Sequence, residues 1–148
     1  MGLGLGAEKV WLEKDTEHLP LGYFWCEWFE GDHYSIDFLP GWGTKVITVK
    51  GFKNPETFTK WDKWIKVENR KEHVIPRILY PTILQYDTIN LEFIGDKLIE
   101  VHFRRNEDFD GGITEFIPVW EGQDTNPPKG YQYRDYPDVH GRIGAFIK

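Results

Sequence analysis

Cysteine and methionine are nearly missing from this chain of 148 residues, which has one of each, Cys26 and Met1. A lone thiol cannot close an internal disulfide, so nothing points to an oxidising compartment, and a cytoplasmic location is expected. No apolar run approaches the roughly 18 residues of a membrane-spanning helix. The N-terminus also lacks the basic patch and apolar stretch of a secretory signal, so no membrane partner is expected. Positive charge is in deficit: 18 Lys and Arg against 24 Asp and Glu give a formal charge of −6. That balance argues against a nucleic-acid partner, which needs a basic footprint on the protein. It leaves room for a small anionic ligand held by a few arginines or backbone N–H groups.

Aromatic residues, by contrast, are plentiful: seven Trp, seven Tyr and ten Phe. Such a composition can bury a core and excludes disorder. The length suits one domain, and the expected fold class is α+β, an antiparallel sheet with few short helices. The start, "MGLGLGAEKVWLEK", reads either as a glycine-rich turn entering a strand at Lys9–Leu12 or as a frayed tail. "YFWCEWFEGDHYSIDFL" reads as two strands, Tyr23–Phe29 and Tyr34–Leu39, around a turn at Glu30–Gly31–Asp32. "PGWG" is a turn, and the β-branched "TKVITVKGF" a third strand of an antiparallel meander. "NPETFTKWDKWIKVENRKEH" is ambiguous. Asn54 and Pro55 suit the start of a short helix, and Phe58, Trp61 and Ile65 have near-helical spacing, but Thr57 and Thr59 dilute the propensity. After Asn106 come a short strand, "ITEFIPVW", and a long Pro/Gly/Tyr-rich excursion that ends in a small strand, Ile143–Ile147.

The chemistry concentrates in "INLEFIGDKLIEVHFRRN", an apolar hairpin that carries Glu92, Glu100, His102, Arg104 and Arg105. With a two-residue turn at Gly95–Asp96, the two glutamates would fall on opposite sides of the sheet. An odd-length loop instead puts Leu91, Phe93, Ile99, Val101 and Phe103 on one face. Asn90, Glu92, Glu100, His102 and Arg104 then share the other. A five-residue loop sets Glu92 directly opposite Glu100. Facing carboxylates destabilise a sheet unless a cation lies between them. Hard cations such as Mg²⁺ take carboxylate and phosphate oxygens, and an arginine at the same rim can hold a phosphate. The bland alternative is a solvated face, with the carboxylates paired to Lys97 and Arg104.

Three stretches, in this order, make the sequence resemble the C-terminal part of an ATP-grasp domain. That family clamps ATP between two α+β subdomains and usually activates a carboxylate as an acyl phosphate, which an amine or thiol then attacks. "GLGLGAEKVWL" is similar to the glycine-rich loop over the phosphates, with Gly4 and Gly6 supplying backbone N–H groups. "CEWFEGDHYSIDFL" is similar to the adenine hinge, with Glu27, Trp28 and Phe29 over the base and His33 where the family commonly has Glu. "INLEFIGDKLIEVHFRRN" resembles the metal-binding strand pair, which makes Glu92, Glu100 and His102 the metal ligands. His102 stands where Asn is usual, and an imidazole suits transition ions better than Mg²⁺. Arg104 matches an arginine that contacts phosphate or substrate, so Arg104 and Glu100 carry the catalytic role.

The resemblance implies ATP and Mg²⁺ as cofactors and a small-molecule carboxylate as substrate. It covers most of Gly2–Asn106. Residues 107–148 are then an extension packed on a single ATP-grasp-like domain. The family's earlier domain and lysine-bearing strand precede the glycine loop. This chain therefore calls for them from a longer enzyme, a partner chain or a second copy. The other reading is a non-catalytic module of the same fold that serves protein–protein contact through Trp and Tyr surfaces such as Tyr131, Tyr133 and Tyr136. Elsewhere, Lys9 and Asp37 read as solvated strand residues. Arg70, Lys71, His73 and Arg77 read as a solvated basic patch, Trp61 and Trp64 as packing residues, and Cys26 as a buried structural thiol.

Overall fold

In the computed structural model, residues 21–22, 26–54, 56, 60–137 and 141–148 are described. Eight strands form one sheet: β1 His33–Leu39, β2 Thr44–Lys53, β3 Trp61–Val67, β4 Ile89–Ile94, β5 Lys97–His102, β6 Glu115–Trp120, β7 Gln132–Asp135 and β8 Arg142–Ile147. Their spatial order is β5-β4-β1-β2-β3-β6-β8-β7, and each neighbouring pair is antiparallel. Helix is scarce among the described residues. It amounts to α1, Tyr80–Ile83, preceded by a 3₁₀ turn at Arg77–Leu79, and a second 3₁₀ turn at Glu107–Phe109. The chain is thus a sheet-rich α+β protein.

Alternation along β1 sets up two faces. Tyr34, Ile36 and Phe38 point one way and meet Ile89, Leu91 and Phe93 of β4. The connection from β3 to β4 must pass β2 and β1, and it crosses this side. It brings Ile75, Leu79, Tyr80, Ile83 and Tyr86 onto the sheet to close the core. The connection from β5 to β6 crosses the opposite side. It brings Phe109 and Ile113 against Val49, Phe116, Ala145 and Ile147, the second core. Each long crossover therefore covers one face.

Several expectations change. Cys26–Phe29 is irregular rather than a strand; residues 23–25 lie outside the described set. Both flanks of β1 are already taken, by β2 and β4, so Cys26–Phe29 has no free edge of β1 to pair with. Cys26 is exposed, not a buried thiol. The stretch read as an ambiguous helix is a strand from Trp61 to Val67. A bulge in β3, with Asp62 as the extra residue opposite Phe52 and Lys53 of β2, puts Trp61 and Trp64, three apart, both against Gly51. The Asn54 side chain does accept a backbone bond from Glu56, a local turn; residues 55 and 57–59 lie outside the described set. Residues 107–148 supply β6, β7 and β8 of the same sheet, and β7 had no clear signal in the sequence.

The β4–β5 hairpin resolves the turn question in an unexpected way. Ile94 faces Lys97 across a two-residue turn, yet Glu92 faces Glu100. A bulge between Glu92 and Phe93 absorbs the extra residue, so a tight turn and opposed glutamates coexist. Leu98, and not Ile99, then sits opposite Phe93 and packs with Val101 on the first core. Phe103 is half-exposed and stacks on Tyr86 at 4.6 Å. The turn is pinned from outside. Gly95 N–H donates to Asp32 O at 2.8 Å, and the His73 Nε2–H donates to Gly95 O at 2.7 Å. His73 is thereby a fully buried ring between Tyr34 and Phe93, not part of a solvated basic patch.

Candidate metal centre

On the face away from the first core, β1, β4 and β5 lay out a grid of polar side chains. Register places Ser35 beside Glu92 and Glu92 beside Glu100. One step along, Asp37 lies beside Asn90 and Asn90 beside His102. Period-two alternation accounts for this: polar residues at every second position of β1 and β4 share a side of the pleat.

Two groups form within the grid. The first is Glu92, Glu100 and His102, which each offer a ligand atom, all within 4.8 Å of one another. His102 Nε2 lies 3.2 Å from Glu100 Oε2 and 3.4 Å from Glu92 Oε1. His33 joins from β1, its Nε2 2.8 Å from Glu92 Oε2. The cluster is sheltered but reachable, with side-chain exposure of 22% for Glu92, 16% for His102 and 38% for Glu100. Without a cation, the bonds to Glu100 and Glu92 outweigh burial and raise the His102 imidazole to about 9. Burial pushes the Glu92 carboxyl up, but the bonds from His102 and His33 more than offset it and bring it down to about 2. The imidazolium thus occupies the electrostatic position of a metal ion.

The second group is buried. Asn90 Nδ2 donates to Ser35 Oγ and Asp37 Oδ1, each at 2.8 Å, and Ser35 Oγ donates to Asn90 Oδ1 at 3.1 Å. The Asn106 backbone N–H donates to Asp37 Oδ1 at 2.9 Å. Asp37 is therefore no solvated strand residue: it is 5% exposed and ties the chain leaving β5 back to β1. Burial pushes its carboxyl up, against the lowering effect of the Asn106 and Asn90 bonds.

The expected site residues fall unevenly on this geometry. Glu92, Glu100 and His102 come together as the hairpin pattern implied. His33, assigned by resemblance to the nucleotide hinge, reaches Glu92. Glu27 and Trp28 are exposed and Phe29 is half-buried, in the irregular stretch before β1. Gly4, Gly6 and Lys9 lie outside the described residues. Arg104, just past the end of β5, is exposed, and its guanidinium donates to the Arg105 carbonyl at 3.1 Å. Trp61 and Trp64 are half-buried, and their rings meet that of His33 at 4.6 and 5.5 Å in edge-on contacts. Sequence reading placed Asn90 on this face but missed Ser35 and Asn106 as site neighbours. The available signal was the run of polar residues at period two in β1 and β4.

Comparison of the chain with protein-family models, with curated proteins and with solved structures finds no match.

Proposed function

We propose that this chain is the nucleotide- and metal-binding part of an ATP-grasp-type carboxylate ligase, with the divalent ion held by Glu92, Glu100 and His102. One observation carries the reading: the bulged β4–β5 register sets two glutamates opposite each other with an imidazole between them. In an ordinary sheet two facing carboxylates repel, so a cation belongs there, a place that protonated His102 fills without an ion and that a divalent ion would take over on binding. The donor set fits a divalent ion. Two carboxylate oxygens suit Mg²⁺, and the imidazole nitrogen widens the choice towards Mn²⁺ or Zn²⁺.

Glu92, Glu100 and His102 would hold the ion, which would supply positive charge to neutralise the phosphates of ATP. Glu92 and Glu100 would position the phosphates through that ion, His102 would give up its proton to bind it, and Arg104 would swing in to meet a phosphate oxygen. A substrate carboxylate oxygen would then bond to the γ-phosphorus as the bond to ADP breaks.

A second reading, a non-catalytic module of the same fold, is favoured by the position of Arg104, which faces its own backbone. Calorimetric titration of Mg²⁺–ATP into the protein, beside a Glu92→Gln/Glu100→Gln double variant, separates the two. Binding at micromolar to low millimolar concentration that the double variant abolishes is expected. A folded wild type that gives no heat favours the non-catalytic module.

A further inference from the structure

We infer that His33 is a positioning residue of this metal centre, holding one oxygen of Glu92 so that the other faces the ion. The inference rests on the metal reading above and deepens it.

Glu92 divides its two oxygens between two histidines. Oε2 accepts from His33 Nε2 at 2.8 Å, a short charge-assisted bond. Oε1 lies on the other side, 3.4 Å from His102 Nε2. The ligand atoms that all lie within 4.8 Å of one another come from Glu92, Glu100 and His102, and His33 is not among them. Its distance of 2.8 Å from Glu92 Oε2 is that of a hydrogen bond. His33 is therefore outside the ligand set and behind it. Because a carboxylate only accepts, the proton of this bond lies on His33 Nε2. The bond also keeps Glu92 to a single ligand oxygen, which leaves coordination positions open for a phosphate.

A hydrogen bond orients a ligand only if its donor is itself fixed. Here the fixing comes from two strands away. His33 pairs with Gly51 of β2, and Gly51 pairs with Trp64 of β3. Trp61 and Trp64 lie over Gly51 so closely that a Cβ there would come within 2.7–2.9 Å of their rings. Only glycine lets both indoles cross β2 and reach the imidazole, which they meet edge-on at interplanar angles of 77° and 89°. The chain of contacts runs Trp61/Trp64, His33, Glu92, ion. Sequence reading gave the tryptophans to packing and His33 to the nucleotide. The fold joins them into a single support for the carboxylate.

The test uses Mn²⁺ alone as probe, with the free ion followed by electron paramagnetic resonance. Wild type is compared with Glu92→Gln, His33→Phe and His33→Gln, and the apo-protein melting temperature of each is recorded. Loss of an outer hydrogen-bond partner typically weakens metal affinity by about 10–100-fold. We expect that loss for His33→Phe, which keeps a ring between the indoles. His33→Gln, which keeps an N–H donor, should recover most of the affinity. A wild type that binds no Mn²⁺ overturns the metal reading and this inference with it. Binding that Glu92→Gln abolishes and His33→Phe leaves intact overturns the role of His33 alone. Should His33→Phe fail to fold, ¹⁵N spectra of the wild type with Zn²⁺ decide. His33 Nε2 keeping its proton while His102 Nε2 takes a metal-bound shift is expected; a metal-bound shift at His33 overturns the inference.

Discussion

β1 and β4 show opposite solutions on their two sides. On one, Tyr34, Ile36, Phe38, Ile89, Leu91 and Phe93 pack into a dry core under a crossover. On the other, the same strands carry Ser35, Asp37 and Asn90, equally buried but polar, running out to Glu92 and His33. The apolar side gains stability from area removed from water. The polar side must meet every donor and acceptor it buries, because an unpaired group costs about 1–3 kcal/mol. It does so through Asn90, which serves Ser35 and Asp37 together. Among the described residues the buried side-chain atom without a partner is His73 Nδ1, on the apolar side. A protein that needed only stability could have filled both sides with aliphatic residues. The fully bonded polar side instead lies next to Glu92, Glu100 and His102, the three groups that could hold a metal ion.

The contrast can be broken most strongly from the apolar side. Phe93→Ala removes a 2% exposed ring beneath the hairpin and should destabilise the fold by about 3–5 kcal/mol in urea titration. A loss below about 1 kcal/mol would mean that this core is not close-packed. On the polar side, Asn90→Ala leaves Asp37 and Ser35 short of partners. About 1–3 kcal/mol should be lost, with the larger share expected above the titration of Asp37, where an ionised buried carboxylate has lost a donor. An equal loss at low and neutral pH would show that Asp37 does not depend on Asn90.

The third prediction sharpens the comparison through pH. The His102 imidazole stands at about 9 in the folded protein against an ordinary value near 6.5. It binds its proton more tightly when folded, so its contribution is complete below about pH 6.5 and fades as pH rises through 9. Glu92 runs the other way: held at about 2, it contributes fully above its ordinary range and loses that contribution as pH falls towards 2. Melting temperature in chelator should therefore decline between pH 6.5 and 9, and Glu92→Gln should flatten that decline. An alkaline limb of unchanged slope in the variant would remove Glu92 from the electrostatics of His102. The smallest effect is expected at Arg104. It is exposed and bonded to a neighbouring carbonyl, so Arg104→Ala should alter stability by no more than about 0.5 kcal/mol. The same variant measured with Mg²⁺–ATP tests its phosphate role: weaker nucleotide binding with an unchanged melt supports that role, and unchanged binding removes it.

The hairpin face was legible because strand periodicity is short and the apolar residues were regular. Glu100 and His102 could be placed on one side from alternation alone, and Glu92 joined them on the expectation of an odd-length loop. The bulge that combines opposed glutamates with a two-residue turn was not legible, because it depends on Leu98 rather than Ile99 fitting against the first core. Trp61–Val67 was left ambiguous because Trp61 and Ile65 have helical spacing, and the segment becomes a strand by pairing with β2 and β6. β7 escaped notice because its four residues, Gln132–Asp135, become a strand only by pairing with β8.

The sequence by itself determined a sheet-rich protein and a carboxylate-and-imidazole side to one hairpin, since both follow from alternation over a few residues. Tertiary structure decided everything that needed strands distant in the chain to become neighbours. It brought together His33 and Glu92, which are 59 positions apart. It buried Asp37 under Asn106 and set two tryptophans across Gly51 behind the cluster. Strand order and register are properties of the closed sheet, fixed by how two crossovers fill two cores, and no local pattern encodes them.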